Sequence, residues 1–68
     1  MKVEDFVDPY LGQTWQSLGA RVLSSGKRIS VTLGYPAQGM QTQLTQQLSA
    51  FLGVDDIELD IGFSATPG

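Results

Sequence analysis

The spacing of apolar residues changes several times along this 68-residue chain, so it must fold as a series of short elements. The first apolar residues are spaced as one face of a helix: Val3, Phe6 and Val7. This spacing predicts a helix of about two turns. Pro9 disfavours helical geometry at Asp8 and lacks an N–H, so the helix should end there and Asp8–Gly12 should form a turn.

Two strands and a turn are predicted next. Leu18–Leu23 is predicted as a strand, and so is Arg28–Leu33, which alternates apolar and polar residues cleanly. The segment between them, Ser24–Lys27, contains Gly26 and has the composition of a turn. We therefore expect a β-hairpin.

A second helix and a third strand follow. The helix is predicted by one apolar stripe: Met40, Leu44, Leu48, Phe51 and Leu52. Gly53 should end it in a left-handed conformation, with Val54 folding back onto the last turn. Ile57–Phe63 alternates as a strand, and Ser64–Gly68 has the composition of a linker or tail.

The predicted order is αββαβ, in one domain over residues 1–63. We expect an α+β fold: a two-layer sandwich with a three-stranded sheet covered by two helices on one face. A connection through the second helix between parallel strands should be right-handed. The pattern does not decide which strand is central.

Composition excludes several classes of function. The chain has no cysteine and no histidine, which excludes disulfides, thiolate metal sites and the commonest general base. Its net charge of −3 argues against nucleic-acid binding. There is no membrane-length apolar run and no secretory signal at the N-terminus. We therefore expect a cytoplasmic, non-enzymatic module that binds no cofactor, metal, membrane or nucleic acid.

A few side chains have two readings. Asp8 is placed to cap backbone N–H groups of its turn, or to contact a partner or ligand. Trp15 suits the core, or else an anchor in a partner interface. For Tyr35 the same two readings stay open. Met40 is spaced as a core residue rather than as a soft metal ligand.

The charged residues are unevenly distributed. No charged residue lies between Arg28 and Asp55, so the second helix has a polar, uncharged face that serves either solubility or partner docking. The later acidic residues are expected to form a solvated face, since the pattern predicts no apolar pocket around them: Asp55, Asp56, Glu58 and Asp60. Gly34–Gly39 lacks the Gly-Lys-Ser/Thr ending of a phosphate-binding loop.

Several segments together resemble one family: Asp8-Pro9-Tyr10-Leu11-Gly12, Ser17-Leu18-Gly19, Leu33-Gly34-Tyr35-Pro36-Ala37 and Gly53-Val54. With the predicted order of elements, they make residues 3–63 similar to the metal–sulfur cluster assembly domain at the N-terminus of Mrp/ApbC-type iron–sulfur carrier ATPases. In such carriers a P-loop ATPase domain follows, which binds ATP and a bridging [4Fe–4S] cluster.

The resemblance implies partners rather than chemistry. These partners would be the adjacent P-loop ATPase domain, iron–sulfur apoproteins or assembly factors. The family-matched positions form a candidate interaction edge: Asp8, Gly34, Tyr35, Pro36 and Ala37. Stand-alone relatives have a Thr-Pro-x-Cys-Pro segment after the second strand, whereas Gly34–Gln38 has no thiol, so a cysteine-based role does not carry over.

The resulting expectation is a non-catalytic accessory domain of an iron–sulfur cluster carrier, acting in cluster assembly or delivery. One alternative is a structural or regulatory domain that stabilises the ATPase domain. A KH-like nucleic-acid-binding module is disfavoured, because the chain has no Gly-x-x-Gly loop and is acidic.

Overall fold

A three-stranded sheet and one α-helix form the fold in the computed structural model, which describes residues 2–64. The bounds of the regular elements are β1 Arg21–Ser25, β2 Arg28–Leu33, α1 Gln41–Leu52 and β3 Glu58–Phe63. Single 3₁₀ turns lie at Val3–Asp5 and Gln38–Met40. The α+β class predicted from the sequence is confirmed.

The sheet has the order β1-β2-β3, so β2 is the central strand. It pairs antiparallel with β1 as the predicted hairpin and parallel with β3. Gly26 is the first residue of the two-residue hairpin loop and has φ +61°. A glycine there meets the requirement of a type II′ turn, whose twist matches that of the paired strands.

One face of the sheet packs against α1 and the N-terminal segment. The apolar residues of β2 that face this side are all buried: Ile29, Val31 and Leu33. Leu44 and Leu48 of α1 are completely buried against them, as is Trp15, whose ring meets Phe6 edge-on at 4.8 Å between centroids. The core interpretation of Trp15 is thus confirmed, and Met40 packs against the same core.

The first predicted helix is reduced to one 3₁₀ turn. Phe6 already has extended geometry, with φ −64° and ψ 128°. The chain then pairs with residues 13–15 instead of continuing as a helix: Trp15 N–H donates to the Phe6 carbonyl (3.0 Å), and Asp8 N–H donates to the Gln13 carbonyl (2.7 Å). The sheet is therefore covered by one α-helix and an irregular N-terminal segment.

The first strand begins later than predicted. Gly19 has φ +73°, outside the extended range of a regular strand, and the Gly19 N–H donates to the Gln16 carbonyl within a turn. The Ala20 N–H donates to the Trp15 carbonyl (2.9 Å). The strand can therefore start only at Arg21, and it extends to Ser25.

The end of α1 agrees with the sequence. Gly53 is left-handed, with φ 67° and ψ 30°, and the N–H groups of Gly53 and Val54 both donate to the Ser49 carbonyl. After the end of β3, the Ser64 N–H still donates to the Leu33 carbonyl (3.0 Å). The rest of the predicted linker, residues 65–68, lies outside the described residues.

Candidate functional site

The turn after the first 3₁₀ helix is organised by the side chain of Asp8. Its Oδ1 accepts the N–H groups of Tyr10 (2.8 Å) and Leu11 (3.1 Å), and its carbonyl accepts the N–H of Gly12 (2.8 Å). Pro9 has no N–H, and Gly12 closes the turn at φ +69°. The capping interpretation of Asp8 is confirmed.

The second carboxylate oxygen of Asp8 reaches across the fold. Asp8 Oδ2 accepts the Trp15 Nε1–H at 3.0 Å and the hydroxyl of Tyr35, which lies 27 residues further along the chain. Asp8 is the one buried charged or polar residue among residues 2–64. This carboxylate therefore joins two segments that the sequence singled out separately, the Asp8–Gly12 turn and the Gly34–Ala37 turn.

The hydrogen bonds determine the charge states of both groups. Burial by itself raises the pKa of Asp8, but the bonds from Tyr35, Trp15, Tyr10 and Leu11 outweigh it and hold the pKa below the ordinary value of 3.8. Burial, the bond to Asp8 and the charge of Asp8 raise the pKa of the Tyr35 phenol. At neutral pH the pair is thus a carboxylate and a neutral phenol donor, a fixed structural link.

The five predicted interaction residues divide by exposure. Asp8 and Ala37 are completely buried, so in this structure neither offers surface to a partner. Gly34 and Pro36 are exposed, and Tyr35 is half-buried. The interaction edge formed by these five residues stays a prediction. Gly34, Tyr35 and Pro36 are accessible to a partner, whereas Asp8 and Ala37 could only support them from the core.

The turn also exposes apolar side chains that the sequence interpretation missed. Val7, Tyr10 and Leu11, which we call the turn patch, are 53%, 42% and 48% exposed. They are half of the large exposed hydrophobic residues among residues 2–64. The signal was present in the sequence, because apolar residues on both sides of Asp8-Pro9 cannot all face inward once the side chain of Asp8 turns into the core.

Tyr10 connects the turn patch to the uncharged face of α1. The hydroxyl of Tyr10 donates to Gln43 Oε1, which fixes the ring against the helix. The exposed residues of that face include Gln43, Gln46 and Gln47. Apolar and uncharged polar side chains therefore meet at this surface.

The acidic residues of the C-terminal part of the chain lie on the surface. No group of three potential metal-ligating side chains occurs among residues 2–64, and the four acidic residues expected to be solvated are exposed: Asp55, Asp56, Glu58 and Asp60. Glu58 pairs with Arg28 at 3.2 Å on the surface. Since the chain has no cysteine or histidine, its donor set does not fit an iron–sulfur cluster.

Within residues 2–64 no helix has the length and apolar character needed to cross a membrane. Compared with known proteins, the chain matches no family profile, no curated protein and no solved structure. The geometry around Asp8 is therefore the basis on which a function can be argued.

Proposed function

We propose that this chain is a non-catalytic interaction domain of an iron–sulfur cluster carrier in the cytoplasm. It would dock on the adjacent P-loop ATPase domain, on an iron–sulfur apoprotein or on an assembly factor, and so assist cluster assembly or delivery. The observation that carries the proposal is the hydrogen bond from the Tyr35 hydroxyl to Asp8 Oδ2. It unites the two turns on which the resemblance to Mrp/ApbC-type carriers depends.

The rigidity of the turn supports a docking role. Three donors from residues 10–15 and one from Tyr35 hold a single carboxylate, so the backbone beneath the turn patch is fixed before any partner arrives. A preorganised loop loses less conformational entropy on binding than a mobile one. Loops fixed on a rigid scaffold are also where recognition concentrates.

The chemistry of the surface indicates what kind of contact it would make. Interface cores are depleted in charge and enriched in aromatic and apolar side chains. The turn patch and the glutamine-rich face of α1 have this character, and the bond from Tyr10 to Gln43 joins them. The proposed partner surface is therefore apolar and uncharged where it covers Tyr10 and Leu11.

Cluster and nucleotide chemistry would belong to the parent carrier. A [4Fe–4S] cluster is held by thiolates, and this chain has none. The proposed contribution of the domain is contact alone, which positions another domain or a client.

A second candidate function is favoured by the burial of Asp8 and Ala37. Both family-matched residues serve the core here, as they would in a domain whose role is to stabilise or regulate the adjacent ATPase domain. Deleting the domain from a full-length carrier separates the two functions. Docking predicts slower cluster transfer at unchanged thermal stability, whereas a stabilising role predicts a lower melting temperature of the ATPase domain.

The direct test is an NMR titration of the ¹⁵N-labelled chain with the P-loop ATPase domain of an Mrp/ApbC-type carrier and with an apo-ferredoxin. We expect shifts in residues 7–11, 34–37 and on the exposed face of α1. Leu11→Ser should weaken binding about tenfold, because truncating an anchor at the centre of an interface costs more than about 1 kcal/mol.

The matched control is Val54→Ser, which removes an exposed apolar side chain outside the turn patch. It should bind like the native chain. Absence of shifts with both probes would contradict the docking proposal, as would equal effects of the Leu11 and Val54 substitutions.

A further inference from the structure

The outer edge of β1 presents backbone groups in a defined pattern. Because the hairpin loop has two residues, Ser25 and Arg28 flank it as a hydrogen-bonded pair, and such pairs alternate along an antiparallel ladder. Leu23 and Arg21 are therefore bonded to β2 as well. The N–H and C=O groups of Val22 and Ser24 point away from β2, toward the open edge.

This edge has no protection within residues 2–64. No hydrogen bond from another segment reaches the backbone of Val22 or Ser24, and β1 contains no proline. The β3 edge differs, because the Leu59 carbonyl accepts a hydrogen bond from Gln41 Nε2 at 2.7 Å. Exposed edges usually carry devices that block pairing with another strand. On β1 such a device is missing along the middle of the strand.

An apolar side chain stands at the centre of the same strand. Leu23 is 76% exposed, the highest value among the large exposed hydrophobic residues of residues 2–64. It lies on the face of the sheet opposite α1, between two shallow concavities of about 350 and 520 Å³. Its neighbours on this face of β1 are Arg21 and Ser25.

We propose that β1 pairs with β1 of a second copy of this chain, antiparallel and with the two-fold axis at Leu23. In this register Val22 of one copy is opposite Ser24 of the other, and their outward N–H and C=O groups form the new ladder bonds. Leu23 meets its own symmetry mate in a non-hydrogen-bonded pair. Arg21 is placed opposite Ser25, so no two arginines are directly opposite each other.

The register is selected by the available backbone groups. Centring the pair on Val22 would require outward groups of Ala20, whose N–H is already donated to the Trp15 carbonyl. Centring it on Ser24 would place Val22 opposite the hairpin loop. The arrangement centred on Leu23 uses both outward residues of each strand and covers the exposed leucine, which is the contact that strengthens cross-strand pairing.

The association should be weak. Stable dimers bury about 1,200 Å² or more, and a strand of five residues covers less. Each copy also has a net charge of −3, so added salt should strengthen pairing by screening the repulsion. A weak, salt-strengthened dimer extending the sheet from three strands to six is the expected species.

A single introduced thiol tests the register, since the native chain has no cysteine. A non-hydrogen-bonded pair has its Cα atoms about 4.5 Å apart, within the range that a disulfide spans. Leu23→Cys should therefore oxidise rapidly to a disulfide dimer. Ser30→Cys is the control. Residue 30 is exposed on the same face, but the two copies of it in the dimer would be three strand spacings apart, about 14 Å.

A mixture of Arg21→Cys and Ser25→Cys chains refines this test. The proposed register pairs residue 21 with residue 25, so the mixed disulfide should form several-fold faster than either homodimer. Equal rates for Leu23→Cys and Ser30→Cys, or no preference for the mixed disulfide, would overturn the proposal.

Analytical ultracentrifugation tests the association without an introduced thiol. The native chain, Ser24→Pro and Ser24→Ala are each measured over a range of about a hundredfold in protein concentration. Proline at Ser24 removes an outward N–H and leaves the bonds to β2 in place, whereas alanine keeps that N–H. We expect the native chain and Ser24→Ala to associate with rising concentration and Ser24→Pro to stay monomeric, all three giving dispersed folded NMR spectra. A monomeric native chain, or association unaffected by proline, would refute the pairing.

Discussion

At the scale of the residue, Asp8 shows how a buried charge can be maintained in a very small fold. Its desolvation is unfavourable, and four donors compensate it: two backbone N–H groups, an indole N–H and a phenol hydroxyl. Bonds to charged groups contribute more than neutral ones. Removing one donor should therefore have an effect that depends on whether Asp8 is ionised.

Replacing Tyr35 by phenylalanine tests this dependence. The loss of a hydrogen bond to the carboxylate should lower the free energy of unfolding at pH 7 by about 1–3 kcal/mol. It should also raise the pKa of Asp8, because that bond is one cause of the lowered value. Urea denaturation at a series of pH values measures both effects.

The direction of the pH effect follows from the lowered pKa. Ionised Asp8 stabilises the native chain fully above the ordinary value of 3.8, and this stabilisation is lost as the pH falls from there through the lower pKa of the folded state. The difference in free energy of unfolding between the native chain and Tyr35→Phe should shrink over that range.

Tyr10→Phe is the control, because it removes a hydroxyl at an exposed contact and should change the free energy of unfolding by less than about 0.5 kcal/mol. Equal effects of the two variants would contradict a special role of the bond from Tyr35 to Asp8.

At the scale of the element, the ends are determined by single residues with special backbone geometry. Gly26 begins the hairpin loop and Gly53 ends α1, both at positive φ. Gly19, also at positive φ, delays the start of β1. Gly19 thus marks the boundary before β1, although the apolar residues around it predicted a strand that runs through it.

Substitution of Gly53 by alanine isolates the conformational effect at the end of α1. A Cβ atom there would meet nothing within 4 Å, so the expected loss of about 1 kcal/mol comes from the left-handed backbone alone. Gly39→Ala is the matched control, with equally open surroundings and no positive φ, and it should be neutral or slightly stabilising. Thermal unfolding of both variants measures the difference, and similar melting temperatures would be inconsistent with this account.

At the scale of the whole molecule, the irregular N-terminal segment and the regular layer share one core. Trp15, Leu44 and Val31 come from the segment, the helix and the sheet, and all three are completely buried in a single apolar cluster. Neither part could bury its apolar side chains without the other. Cooperative unfolding of the whole is the consequence.

Trp15 is the single tryptophan, and its fluorescence reports the packing of the N-terminal segment on the shared core. Its fluorescence and the far-UV circular dichroism of α1 and the sheet should give coincident denaturation curves. Leu48→Ala leaves a cavity at a buried site in α1 and should lower the free energy of unfolding by about 2–4 kcal/mol. The midpoints of both curves should fall together. A separate, earlier fluorescence transition would show that the segment unfolds by itself.

The sequence by itself determined the elements whose signals are local. The alternation in Arg28–Leu33, the stripe of α1 and the glycine at its end predicted β2, α1 and the α+β class, because each pattern repeats within a few residues of itself. Only the tertiary structure decided that β2 is central, that the first helix is one turn and that Asp8 meets Tyr35. These outcomes depend on hydrogen bonds between residues far apart in the chain, such as the 27 positions from Asp8 to Tyr35, and no local period encodes such partners.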